Sequence, residues 1–90
     1  MAYNFEAVWL RTYGNVDKAV DPYGRIVHKM NFTCDYIWPK ERGGSNNIKN
    51  VIAIHPSSKI EKQSHISGIV NGKRFVVMRV SQGIGKLYVN

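Results

Sequence analysis

Cysteine, acidic side chains and long apolar runs are all scarce in this chain. Its 90 residues include a single cysteine, Cys34. One cysteine excludes an intrachain disulfide framework and suits a reducing compartment, so a cytoplasmic location is expected. No apolar run approaches the ~20 residues that a helix needs to cross a bilayer, and no leader-like segment opens the sequence, so no membrane association is expected. Only six Asp and Glu face 13 Lys and Arg. No two acids are paired in a way that suits glycoside chemistry.

The usual signatures of chemistry are missing as well. Gly83-Ile84-Gly85-Lys86 lacks the glycine spacing and the following helix of a phosphate-binding loop. His28, His55, His65 and Cys34 show none of the short paired spacings of structural zinc sites, so neither metal nor cofactor is expected. His28 and His65, with Lys73 or Arg74, are the least implausible set for metal-free RNA cleavage, in which one imidazole takes the 2′-hydroxyl proton, the other protonates the leaving oxygen and the cation stabilises the charged phosphorane. Nothing in the sequence brings them together, and the chain is not read as an enzyme.

What the chain does have is alternation. From residue 25 to residue 38, Ile26, His28, Met30, Phe32, Cys34, Tyr36 and Trp38 fall on one side, with mostly polar residues on the other. A period of two over that span predicts one long strand with a buried face, long enough to coil around a small curved sheet or barrel. Residues 3–13 also alternate and are read as a first strand, followed by a short strand over 16–20. Asp21-Pro22-Tyr23-Gly24 has the residues of a type I turn. Residues 39–47 are polar and glycine-bearing, which predicts an exposed, mobile loop. A strand follows over 48–55. Ser58 and Glu61 fit a capping box, so a helical turn is expected near 59–63. Asn71-Gly72 between two β-type runs predicts a type I′ hairpin that sets Val70 opposite Lys73 and Gly68 opposite Phe75. Phe75-Val76-Val77-Met78 is apolar on both faces, as in a central strand. Gln82 to Gly85 reads as a turn, and 86–89 as a last strand. The expected fold is mainly β: one small domain over residues 1–90, a curved antiparallel sheet or barrel of six to seven strands, with at most one short helical turn.

Charge gives the functional expectation. Residues 1–45 hold six bases against five acids, and residues 46–90 hold seven bases against one acid, Glu61. A positive field on the second half attracts polyanions or acidic protein surfaces. Several cations sit beside aromatics, an arrangement by which small β folds bind single strands, stacking bases while cations follow phosphates. The leading expectation is a non-catalytic protein that binds DNA or RNA, single-stranded above all. Its expected contacts are Lys40, Arg42, Lys73, Arg74, Arg79 and Lys86, with Tyr88 or Trp38 as stacking surfaces. The alternative is a protein-interaction module, such as a small inhibitor or assembly factor, that uses a sheet edge or its basic face. A strand edge would also allow a homodimer.

Overall fold

The computed structural model describes residues 3–90 and arranges them mainly as β structure. Seven strands form three small antiparallel sheets, ordered β1–β2, β3–β4 and β5–β6–β7, with two short helices; no closed barrel is found among the described residues. The strands are β1 (Lys18–Val20), β2 (Ile26–His28), β3 (Thr33–Tyr36), β4 (Val51–Ile54), β5 (Ser67–Val70), β6 (Lys73–Ser81) and β7 (Ile84–Val89).

The first segment corrects the sequence reading: α1 (Phe5–Tyr13) is a helix, so helical structure is not confined to one turn near 59–63. Its ends decide the matter. The Asn4 side chain accepts the Ala7 amide, and Gly14 closes the helix at φ 85°. Between these caps, Phe5, Val8, Trp9, Thr12 and Tyr13 satisfy a helical period as well as the alternation of the segment suits a strand, and Val8 and Trp9 are fully buried. The helix lies along the outer edge of β4. Thr12 Oγ1 accepts the Ala53 amide at 3.1 Å, and Tyr13 donates its hydroxyl to the Ala53 carbonyl at 2.6 Å.

The long strand expected over 25–38 is two strands with a turn between them. The Asn31 amide bonds the His28 carbonyl at 2.9 Å, and the chain changes partner from β1 to β4. The buried face changes too. Val27 is fully buried, whereas Ile26 and His28 are exposed and Met30 is 95% exposed. In β3, Cys34 and Asp35 are both buried, because the β3–β4 sheet has neighbours on both faces. An alternating pattern carries no mark where the pairing strand changes, so the break left no trace in the periodicity.

The turn at residues 21–24 forms as read, with the Gly24 amide on the Asp21 carbonyl at 3.0 Å. Asp21 itself is buried. Its carboxylate accepts from the Tyr23, Arg25 and His55 amides and from the Ser58 hydroxyl. Ser58 is thereby committed, and Glu61 pairs with Arg25 and accepts the Asn71 amide. The expected capping box therefore does not form. Instead α2 (Pro56–Lys62) starts earlier, with Pro56 at its first turn and the His55 side chain accepting the Ser57 amide. The helix ends on Gln63 at φ 53° and ψ −135°, a region suited to glycine. Gln63→Gly is expected to raise stability by about 1 kcal/mol, visible as a higher urea midpoint; an unchanged or lower midpoint would show that this residue carries no strain.

The last sheet follows the sequence reading closely. Asn71 and Gly72 have φ of 51° and 75°, as a type I′ turn requires. Val70 pairs with Lys73 and Gly68 with Phe75, whose Cε1 lies 3.3 Å from where a Cβ on Gly68 would stand. β6 is the central strand, but only one of its faces is covered: Phe75 and Val77 point into a core with Tyr23, Ile54 and Val70, while Val76 and Met78 face outward. Residues 39–47 are exposed for the most part but well tied. They contain a 3₁₀ turn (Lys40–Arg42); Trp38 Nε1 donates to the Arg42 carbonyl, and the Ser45 amide bonds the Gly83 carbonyl at 2.9 Å.

Candidate binding face

One side of the β5–β6–β7 sheet has no covering element among the described residues. Register determines its composition. Ser67 pairs with Val76, Ile69 with Arg74, Val76 with Tyr88 and Met78 with Lys86. Directly opposite residues share a face, so these side chains form one surface, opposite to that of Phe75 and Val77. Ile69 is 65% exposed, Met78 53% and Tyr88 47%, with Val76 and, beside the β6 irregularity, Val80 also exposed. A shallow groove of about 770 Å³ runs across this face, lined by Ser67, Ile69, Arg74, Val76, Tyr88 and Asn90 among others. Isolated exposed aliphatics are ordinary, but a contiguous apolar row on a small protein marks a contact surface.

The charge on this face has one sign. Arg74 stands at one end and Lys86 near the other; no Asp or Glu side chain falls on these register positions. Lys86 Nζ lies 5.5 Å from the centre of the Tyr88 ring, within cation–π range. Elsewhere several cations are already partnered. Lys62 is paired with Asp35, Arg25 with Glu61 and, at 3.6 Å, Lys29 with Glu6. The basic balance of the second half is thus carried by other residues than Lys62.

Of the eight residues expected to contact nucleic acid, Arg74, Lys86 and Tyr88 come together on this face. The other five do not join them. Lys73 lies on the opposite side of β6, its stem against Gly24. Arg79 pairs with Gly85 and lines a separate hollow with Val80, Ser81 and Gln82. Lys40 and Arg42 belong to the 3₁₀ turn; Lys40 donates to Asn46 and lies 5.6 Å from the Tyr36 ring centre. Trp38 is half-buried against the core of Tyr23, Ile54 and Phe75, and its indole N–H donates to the Arg42 carbonyl.

No family model, curated protein or solved structure matches the chain. Its functional reading therefore rests on its own side chains.

The apolar half of the face escaped the sequence reading. Val76 and Met78 belong to the Phe75–Met78 run, which is apolar throughout and so predicts a central strand covered on both faces. One signal could have exposed them: a chain of this length with no long amphipathic helix has little with which to cover a second face. His28 and His65 are both exposed, one on β2 and the other between α2 and β5, and no group of three His, Cys, Asp or Glu side chains able to hold a metal gathers among the described residues. Among the described residues, no helix is long and apolar enough to cross a membrane.

Proposed function

We propose that this protein is a non-catalytic binding module of the cytoplasm that docks a partner protein on the open face of the β5–β6–β7 sheet. The observation that carries this reading is the contiguous exposure of Ile69, Val76, Met78 and Tyr88 beside Arg74 and Lys86. An apolar centre with an aromatic and an arginine is the composition of protein contact surfaces. The two cations favour a partner whose own surface is acidic. A negative charge in the apolar row should abolish docking. Met78→Glu is expected to lose the partner that wild type captures, while Lys40→Glu, on the separate 3₁₀ turn, keeps it; equal retention by both variants would remove this face from the site.

A second reading has its own support in the Lys86–Tyr88 pair, which offers a ring for a base with a cation beside it. In that reading single-stranded RNA or DNA crosses the same face, and Arg74 and Lys86 meet phosphates. Fluorescence anisotropy with labelled single strands at two salt concentrations separates the two. If nucleic acid is the ligand, wild type binds with a steep salt dependence, and the Arg74→Ala/Lys86→Ala double variant flattens the slope by about 2. An absence of binding at low salt would leave the protein partner.

A further inference from the structure

The edges of a sheet show what the fold expects beside them. Around β3 and β4 the outward backbone groups are met from within: Thr12 and Tyr13 serve Ala53, and Lys59 Nζ donates to the Cys34 carbonyl at 2.6 Å. β7 differs. The Asn90 amide bonds the Arg74 carbonyl, so the hydrogen-bonded pairs with β6 fall at 90, 88 and 86, and the amides of Gly85, Leu87 and Val89 point away from it. Gly85 is satisfied by Asn50 Oδ1 at 2.9 Å. Leu87 and Val89 have no hydrogen-bond partner for those amides among the described residues. A 3₁₀ turn (Ile48–Asn50) also packs beside β7, bonded at Gly85; the other outer strand, β5, has α2 beside it and carries Gly68 at φ 152°.

The geometry points to β7 as the site where an extended, acidic segment of a partner protein adds as a fourth strand, bonded to Leu87 and Val89. This deepens the proposed protein-docking function and rests on that reading. A strand laid there continues the open face, with two of its side chains, spaced two residues apart, beside Lys86 and Tyr88. The first of these positions calls for a carboxylate and the second for an apolar side chain. The segment therefore carries an acid and an apolar residue separated by one residue, in the order set by strand direction. A second copy of this chain is disfavoured, since it would bring a net +7 against +7. Main-chain bonds would supply affinity and the two face positions specificity.

The test uses the whole protein and a library of labelled seven-residue peptides randomised over acidic, basic, small polar, aliphatic and aromatic residues. The tightest binder is then examined by anisotropy and by amide hydrogen exchange. The expected binder has an acid and an apolar residue two apart. Its affinity falls at least tenfold in Lys86→Glu, and the Leu87 and Val89 amides become protected while that of Gly85 is unchanged. Methylating the peptide's backbone nitrogens on one edge abolishes binding. Val89→Pro, which deletes an outward donor without removing a bond to β6, abolishes it too, with the β6 amides still protected as proof of folding. A binder that protects neither Leu87 nor Val89 overturns the added strand and leaves the face itself as the docking surface. Failure to select any peptide, with single-stranded RNA bound instead, overturns both this inference and the protein-docking reading. Protection of these two amides that grows with protein concentration, without peptide, assigns the edge to a second copy and overturns the acidic partner.

Discussion

Lys62→Met is expected to lose about 3 kcal/mol of folding stability at neutral pH, in the range for breaking a buried ion pair, and to regain much of it in acid. Lys62 is 1% exposed, and its Nζ lies 3.0 Å from Asp35 Oδ2. Burial pushes the Asp35 carboxyl above its ordinary range, and Lys62, then Lys59, pull it back. Without Lys62 the carboxylate remains in a low-dielectric site with its main counter-charge gone, so its proton affinity rises further. A carboxyl raised in the folded state binds its proton more tightly there than in the unfolded chain. Its contribution to stability is complete below the ordinary carboxylate value and is lost as pH rises through the raised folded value. The deficit of Lys62→Met against wild type should accordingly shrink as pH falls. Urea unfolding at neutral pH and at successively lower pH, followed for wild type and variant together, reads both effects. The double variant Asp35→Leu/Lys62→Met removes both charges and should recover most of the loss, since apolar replacement of a whole buried pair is often neutral or better. A pH-independent deficit, or a double variant no better than the single, would show that Lys62 acts through packing alone.

Asn50→Asp should cost nearly as much, about 3 kcal/mol from two lost and inverted buried contacts. Asn50 is fully buried where Trp38, Ser45 and, from far along the chain, Gly85 converge. Its Oδ1 accepts the Trp38 amide at 2.8 Å and the Gly85 amide at 2.9 Å, and its Nδ2 donates to the carbonyls of Trp38 and Ser45 at 3.0 and 3.1 Å. The orientation of the amide is unambiguous, because donors surround one end and acceptors the other. Changing that nitrogen to oxygen sets a carboxylate against two carbonyls and leaves both unpaired. The site joins the end of β3, the 39–47 segment and the start of β7, so the damage should reach the β7 edge. A lower urea midpoint together with faster exchange of the Gly85 amide is the expected result. A midpoint within about 1 kcal/mol of wild type, the scale of one ordinary hydrogen bond, would show that the three segments hold together without it.

The parts of the fold that were legible in advance are those with local rules. Asn71-Gly72 takes positive φ at both positions, which fixes a two-residue hairpin and, with it, the register that sets Phe75 on Gly68. Asp21-Pro22-Tyr23-Gly24 likewise closes its own turn. The lone Cys34 falls on a buried strand position, as its pattern suggested. In contrast, α1 was misread because alternation and helical periodicity both fit its apolar residues. Asn4 and Gly14, cap and stop with nine residues between them, were the better guide. The 25–38 run was misread because a pattern of period two is blind to a change of partner at residues 29–31. Of the candidate site, Arg74, Lys86 and Tyr88 were named, but their apolar neighbours Ile69, Val76 and Met78 were not.

The sequence by itself determined the mainly β composition, the last hairpin with its register, the excess of positive charge on the second half and the impossibility of an intrachain disulfide. These depend on backbone preferences of a few residues or on simple counts. Only the tertiary structure decided which cations are free and which faces are bare. Lys62 and Lys86 look alike in sequence, yet one lies beside Asp35 in a core and the other stands on an open sheet, because burial depends on what the rest of the chain brings into contact. Likewise Val76 and Val77 are neighbours with the same side chain, and only the packing of Tyr23, Ile54 and Val70 on one side of β6 makes one core and the other surface.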